Sequence, residues 1–214
     1  MAGVKVRRAA EIFRCNDEVR KPRDKRCAMT DACALKDFSC DTRRYPSDKS
    51  GTMPMQNCSA SKTYGTVSAE RRNEMSGLEF VQGLADGTLP LNTIAQTLRY
   101  DVAEAVNGRV VVTAEPSGIH LNPAGTVHGG FSATLLDSCM GLAVQSTLEK
   151  GFGQTTLEFK ISLVRPITPE TGELKAEGVV LSRGRRVGTA EGRITDRAGR
   201  LLAHGTTTCL IFEN

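Results

Sequence analysis

The sequence of 214 residues predicts an α+β fold in which an antiparallel β-sheet surrounds one long central helix. Three observations lead to this prediction. Asn107-Gly108 stands between two β-rich runs and predicts a hairpin. Residues 130–148 form a long segment with a single charged side chain. Further β-rich runs, separated by turn residues, follow that segment.

The first elements are predicted between residues 73 and 114. EMSGLEFVQGLADG predicts a helix that ends at Gly87, because its apolar residues recur at helical spacing. Those residues are Leu78, Val81, Leu84 and Ala85. LPLNTIAQTL predicts a short second helical turn, and RYDVAEAV and RVVVTAEP are the strands of the Asn107-Gly108 hairpin.

The central helix is predicted over residues 130–148, GFSATLLDSCMGLAVQSTL. A surface helix would carry a polar stripe, whereas this segment is apolar or small nearly all round. We therefore expect a core helix that the sheet wraps. Asp137 is its only charged residue.

The last third of the chain predicts four strands. TTLEFKISLV alternates apolar and polar residues, so one face, with Leu157, Phe159, Ile161 and Leu163, is expected to be buried. ELKAEGVVLSRG and RRVGTAEGRITD are joined around Gly184, and LLAHGTTTCLIF follows the turn DRAGR.

The first 72 residues differ from the rest and predict a separate, disordered extension before a domain at 73–214. They hold 16 basic and 9 acidic residues, a net charge of +7, whereas residues 73–214 hold 12 and 15, a net charge of −3. A basic arm for nucleic acid is the alternative, but the regular aromatic residues that stack on bases are missing. A transit peptide is disfavoured by the acidic residues.

The cysteines and the hydropathy indicate which cellular compartment the sequence favours. Five of the seven cysteines lie in the extension, without a CxxC pair or a nearby histidine, which disfavours a zinc site. An odd number of cysteines without a signal peptide favours reduced thiols in a cytoplasmic compartment. No run is apolar and long enough to cross a membrane.

Asp137 and the helix start suggest chemistry. A carboxylate on an apolar helix is costly unless it is paired, hydrogen-bonded or protonated. It could simply cap a helix or form an ion pair at the rim. However, His128-Gly129-Gly130 precedes it at a helix start, where free backbone N–H groups can stabilise an oxyanion. A donor and a carboxylate together suggest acyl transfer to water.

The spacing of these groups implies two subunits. Gly129 and Asp137 are eight residues apart, hence about 12 Å along one helix. One reacting carbonyl needs both groups at about 3 Å. Two antiparallel helices from two subunits can provide this, since each helix start then lies beside the other Asp137.

These residues resemble a known family, the hotdog-fold thioesterases of the phenylacetate-pathway (PaaI-type) group. The resemblance spans about residues 74–214. The His-Gly-Gly motif, with Asp137 nine residues after the histidine and Asn122 six before it, carries most of the resemblance. Further matches are Leu136-Asp137-Ser138, Thr155-Thr156-Leu157-Glu158, Arg165-Pro166, Gly184-Arg185-Arg186 and Ala203-His204-Gly205-Thr206.

The resemblance implies a hotdog fold, a sheet wrapped around one helix. It implies homodimers, often paired as tetramers, that hydrolyse acyl-CoA without a metal or organic cofactor. No nucleic-acid or membrane partner is expected.

The resemblance also implies roles for individual residues. The Gly129 N–H would polarise the thioester carbonyl, and Asp137 of the partner subunit would activate water or attack directly. Asn122 and His128 would shape the site, and Thr156, or Thr155 beside it, would supply a hydroxyl group. The candidates for CoA binding are Gly130, Arg165, Arg183, Arg185 and Arg186. The last three could instead form a solvated hairpin tip.

Two other functions fit the same fold. A sensor would bind acyl-CoA without cleaving it, but it would not need a carboxylate beside the thioester. A hotdog dehydratase uses a histidine and an acid, but in a differently built motif. The spacing between His-Gly-Gly and Asp137 favours hydrolysis.

Overall fold

The fold was analysed in a computed structural model, which describes residues 62–214. The predicted extension therefore lies outside the described residues up to position 61. A six-stranded antiparallel sheet curves around one long helix, as the sequence predicts. The strand order is β1-β2-β4-β5-β6-β3, so β1 and β3 form its edges.

The helices are α1 (Ala69–Asn73), α2 (Gly77–Asp86), α3 (Thr93–Leu98) and α4 (Gly129–Gln145). The strands are β1 (Tyr100–Val106), β2 (Arg109–Ala114), β3 (Phe152–Leu163), β4 (Leu174–Arg183), β5 (Val187–Asp196) and β6 (Leu201–Glu213). Short 3-10 turns cover Gly118–His120 and Pro169–Thr171.

The local sequence explains where several elements begin and end. Ser76 and Glu79 form a capping box at the start of α2, and Gly87 ends this helix, as predicted. Asn107-Gly108 makes the predicted two-residue turn between β1 and β2, with Gly108 at φ +75°.

Helix α4 lies in a trough that glycines create in the sheet. Gly178, Gly192 and Gly205 are aligned across β4, β5 and β6. A Cβ atom on Gly178 would lie 2.3 Å from the Cys139 carbonyl oxygen, and one on Gly192 would lie 2.8 Å from Cγ of Met140. The helix therefore packs directly against the backbone of the sheet. Its buried side chains, Leu135, Leu136, Met140 and Val144 among them, form the centre of the core.

The curved sheet covers one side of α4 and leaves the other side partly open. Residues 133, 134, 137, 138, 142 and 145 form a half-exposed stripe along the other side. This stripe includes Asp137 but no other charged residue. The sequence pattern could not show it, because small and apolar residues lie on both sides.

The apolar face predicted for β3 is only partly buried: Ile161 packs against the core, whereas its neighbours on this face are exposed. Phe159, Ile161 and Leu163 pair with Thr207, Gly205 and Ala203, whose side of the sheet faces α4. Even so, Phe159 is 41% and Leu163 is 56% exposed, because β3 is an edge strand that extends past the helix. A bulge between Thr156 and Glu158 takes Leu157 out of the alternation, and it is 58% exposed.

Residues 62–68 pack against the domain, although they precede the predicted boundary at residue 73. Leu91 forms a bridge with Tyr64, accepts a hydrogen bond of 2.8 Å from the Gly65 N–H, and donates one of 2.9 Å to the Thr63 carbonyl oxygen. Lys62 pairs with Asp101. Val67 contacts the core. This segment has no periodicity that would reveal its packing.

Candidate active site

The start of α4 presents one free backbone donor. His128 is the N-cap, and its Nδ1 atom accepts a hydrogen bond of 2.9 Å from the Gly130 N–H. The His128 N–H itself donates to the His120 carbonyl oxygen at 2.8 Å. Within residues 62–214, the Gly129 N–H has no acceptor. It can therefore donate to a ligand at a point where the helix dipole favours negative charge.

Asn122 shapes the loop before this helix. Its Oδ1 atom accepts hydrogen bonds from the backbone N–H groups of Ala124 at 2.9 Å and Thr126 at 3.2 Å. Its Nδ2 atom donates to Oγ1 of Thr126 at 2.8 Å. The side-chain amide thus holds the loop closed, which is a positioning role.

A cleft of about 250 Å³ opens beside Gly129. Asn122, Leu163 and Arg165 are among its lining residues. Arg165 donates a hydrogen bond to the carbonyl oxygen of Leu201, which fixes its guanidinium group at this end of the sheet. Three of the residues predicted for the site, Asn122, Gly129 and Arg165, are therefore brought together.

Asp137 lies elsewhere, on the half-exposed stripe of α4. Its Oδ1 atom accepts a hydrogen bond of 2.9 Å from Oγ1 of Thr156 on β3. Within residues 62–214, no basic side chain forms an ion pair with it. A carboxylate that lacks a cationic partner keeps lone pairs available for water or for a reacting carbon.

The hydroxyl group at this point belongs to Thr156 and not to Thr155. Thr156 pairs with the buried Cys209, on the side of the sheet that faces α4. Thr155 is exposed. Because neighbouring residues of a strand point to opposite faces, only one of the two can reach the helix.

The free Gly129 N–H and the Asp137 carboxylate of one chain are therefore far apart. The cleft at Gly129 has no Asp137 among its lining residues. Both residues belong to the single helix α4, on which eight residues span about 12 Å. This distance is larger than the roughly 3 Å at which each group would have to meet one reacting carbonyl.

The arginines of the β4–β5 hairpin lie at the opposite end of α4 from Gly129. A Cβ atom on Gly188 in this hairpin would lie 2.7 Å from the Val144 side chain, near the end of the helix. Arg183 pairs with Glu149, just after α4, at 2.6 Å. Arg185 and Arg186 are exposed at the tip. They are separated from Gly129 of the same chain by the 17-residue length of α4, about 24 Å.

Two residues near the site escaped the sequence analysis. His120 is 6% exposed, its ring stacks on Phe131 at 4.5 Å, and its Nδ1 atom accepts from the Ser117 N–H at 3.0 Å. Burial, followed by the charge of Arg99, lowers the pKa of His120. Gln154 donates from Nε2 to the Gly141 carbonyl oxygen at 3.2 Å and thereby ties β3 to α4. Neither residue has a sequence pattern that would reveal it.

Cys139 on α4 is buried, and this burial raises the pKa of its thiol to about 12. It stays protonated and is a packing residue. Among residues 62–214, no group of three potential ligands could hold a metal ion. In the same range, every helix is too short or too polar to span a membrane.

Comparison with known proteins gives a consistent picture. Residues 124–203 match the family described as Thioesterase superfamily. Over 69 residues the chain is 42% identical to a Halobacterium salinarum protein that carries an esterase name, and the match covers 31% of this chain and 44% of that one. The chain thus spans less than half of that relative.

Two further proteins match over more of their length. Acyl-coenzyme A thioesterase 13 of Homo sapiens is 29% identical over 109 residues, which are 50% of this chain and 76% of the relative. The crystal structure of a phenylacetic acid degradation-related protein of Ralstonia eutropha superposes with a TM-score of 0.56 at 30% identity. That superposition covers 61% of this chain and 98% of the other. The predicted hotdog fold is confirmed.

Proposed function

This chain belongs to the thioesterase superfamily, and from this premise we propose that it hydrolyses acyl-CoA to a free acid and CoA at a site that two subunits share. The observation that carries the proposal is the separation, on one helix, of the free Gly129 N–H from the Asp137 carboxylate. Each group is suited to acyl transfer, and a second chain can bring them together.

Two uncovered surfaces support a two-fold dimer. Strand β3 is an edge of the sheet and exposes apolar side chains on the side that faces α4. The stripe around Asp137 on α4 is half-exposed and otherwise uncharged. If a second chain joins edge to edge along β3, the two α4 helices run antiparallel over the extended sheet. Each Gly129 then lies beside the Asp137 of the partner.

In this arrangement the Gly129 N–H donates a hydrogen bond to the thioester oxygen, which becomes the oxyanion. Asp137 then acts in one of two ways. As a base it takes a proton from water while the water oxygen bonds to the carbonyl carbon, and the C–S bond breaks to release the CoA thiolate, which the proton neutralises. As a nucleophile it attacks the carbonyl carbon and the C–S bond breaks, which gives an anhydride and the CoA thiolate. Water then hydrolyses the anhydride to the free acid and the Asp137 carboxylate, and the proton released neutralises the thiolate.

Thr156 and Asn122 support these steps from two places. The Thr156 hydroxyl donates a hydrogen bond of 2.9 Å to Oδ1 of Asp137 and leaves the other carboxylate oxygen available for the reaction. Asn122 closes the loop that leads into α4 and keeps the Gly129 N–H in place. Arg165 lines the cleft at Gly129, where a guanidinium group can meet a phosphate of CoA.

A thiol assay tests the proposal. Purified protein is incubated with acyl-CoA and a thiol reagent, and free CoA is expected to appear. Asp137→Asn should lose most of the kcat and keep a similar KM, because the carboxylate acts in the transition state and not in docking. Binding without release of CoA would instead indicate a sensor, and a wild-type kcat in Asp137→Asn would make Asp137 structural.

A further inference from the structure

A cavity of about 400 Å³ lies on the side of α4 that the sheet leaves uncovered. Its walls are the segment 65–67, helix α2, the residues before α3, and α4 itself. Most of the lining is apolar and comes from Val67, Phe80, Leu84, Pro90, Leu91 and Leu142. It is separate from the cleft at Gly129, with which it shares no lining residue.

The cavity begins about one and a half helical turns after the acid. Leu142, which lines it, follows Asp137 by five residues on the half-exposed stripe. Ser138, the residue after Asp137, donates a hydrogen bond of 3.1 Å from Oγ to the Tyr100 hydroxyl. Tyr100 is itself part of the wall. The hydrogen bond between Ser138 and Tyr100 thus connects the residue next to the acid with the wall of the cavity.

Two polar side chains of the wall, Tyr100 and Asn92, are already paired, whereas the polar lining residues Thr66 and Arg72 are exposed to solvent. The Tyr100 hydroxyl donates to Oδ1 of Asn92 at 2.9 Å and accepts from Ser138. An apolar group that fills the cavity therefore leaves these groups hydrogen-bonded. A charged acyl group would lose its hydration without gaining such a partner in the apolar part of the wall. The cavity thus favours an uncharged, apolar occupant.

The size of the cavity limits the occupant. If each non-hydrogen atom takes about 30 Å³, the share of one molecule in liquid water, the space of about 400 Å³ holds about a dozen such atoms. A palmitoyl chain is larger than this.

We propose that this cavity binds the acyl part of the substrate and selects apolar acyl groups of up to about a dozen non-hydrogen atoms. This proposal rests on the proposed function. It also gives a role to residues 65–67, which lie before the predicted domain and form one wall. They are held there by the hydrogen bonds between Leu91 and its neighbours Thr63 and Gly65.

The test compares acyl groups of increasing size in the full-length protein. The ratio of kcat/KM for octanoyl-CoA to kcat/KM for acetyl-CoA is measured in wild type, Val67→Trp and Leu142→Trp. Both substitutions fill the cavity, so this ratio should fall at least tenfold. Ile94→Trp is the matched control, because Ile94 is 46% exposed and is not among the lining residues, and its ratio should equal that of wild type.

A variant that enlarges the cavity provides a second test in case the two tryptophan variants do not fold. Phe80→Ala should move the preferred chain length upward, towards dodecanoyl- and palmitoyl-CoA. If wild type cleaves octanoyl-CoA and palmitoyl-CoA equally well, or if Phe80→Ala and the folded Trp variants keep the wild-type ratio, the cavity is not the acyl site. If wild type releases no CoA from any of these substrates, the proposed function itself has failed.

Discussion

Thr156 donates a hydrogen bond of 2.9 Å to Asp137 and joins the edge strand β3 to the central helix. Thr155, its neighbour, is exposed and points away. Thr156→Val should therefore lower kcat about tenfold, since a hydrogen bond to a charged group is worth about 1.5 kcal/mol or more. Thr155→Val, the matched control, should retain wild-type kinetics. Equal effects of the two substitutions would contradict the pairing of Thr156 with Asp137.

The shared site predicts rescue between two inactive proteins. Gly129→Pro removes the free N–H at a position where helices tolerate proline, and a Cβ atom there would meet only the flexible end of the Leu163 side chain. Gly129→Pro and Asp137→Asn should each be nearly inactive alone. A mixed dimer has one site with both defects and one with neither.

Unfolding the two proteins together and refolding them should therefore restore up to about a quarter of wild-type activity, from random pairing in a two-fold dimer. Each protein refolded alone is the control. A mixture that stays inactive, while all homodimers are folded, would assign the donor and the acid to one chain.

Substitution of the hairpin arginines Arg185 and Arg186 should affect KM differently for two substrates. Replacing Arg185 and Arg186 by glutamine should raise KM for acyl-CoA about tenfold, the loss expected from one charge-assisted hydrogen bond of about 1.5 kcal/mol. KM for an acyl-pantetheine thioester, which lacks the nucleotide, should not change. Arg183 is left intact because its ion pair with Glu149 holds the hairpin. Arg197→Gln, exposed at the other end of β5, serves as the control. A solvated hairpin tip would leave KM unchanged for both substrates.

Two truncations separate the extension from the packed segment. We expect deletion of residues 1–61 to leave the melting temperature and the kcat nearly unchanged, because the contacts with Leu91 and Asp101 begin at Lys62. Deletion of residues 1–72 removes those contacts and the Val67 wall, and should lower the melting temperature by several degrees. Thermal unfolding monitored by circular dichroism measures both. Identical melting temperatures would mean that residues 62–72 add nothing to stability.

His120 predicts how stability depends on pH. Burial lowers its pKa from the ordinary value of 6.5, so below about pH 6.5 the unfolded chain binds a proton that the folded chain does not. The free energy of unfolding contributed by this residue is therefore complete above pH 6.5 and is lost as the pH falls towards the folded pKa. Urea unfolding between pH 5 and pH 7.5 should show this slope in wild type and in His204→Gln, but not in His120→Phe. An unchanged slope in His120→Phe would assign the effect to other groups.

Much of the fold could be predicted from the sequence because its determinants are local. The Asn107-Gly108 turn, the stop at Gly87 and the start of α4 each depend on a few neighbouring residues. The separation of Gly129 from Asp137 also follows from helical geometry alone. The activity, the dimer and the roles of the site residues stay predictions.

What the sequence could not provide depends on contacts between distant segments. The alternation in β3 predicts a strand with one apolar face. It does not show that β3 is an edge strand, where much of that face stays exposed. The packing of Lys62 against Asp101 and of Gly65 against Leu91 joins residues far apart in sequence. A lone buried histidine such as His120 carries no pattern at all.

The glycine trough under α4 has a mechanical consequence. With Gly178 and Gly192 in direct contact with the helix backbone and Met140, the helix has no clearance in which to slide or roll over the sheet. We therefore expect the helix and the sheet to move together, so that Asp137 keeps its position relative to the sheet. If the cavity described above is the acyl site, the part that would have to move for a bulky acyl group is the wall formed by α2 and residues 65–67. We would then expect the rate for large substrates to depend on the mobility of that wall and not on a shift of Asp137.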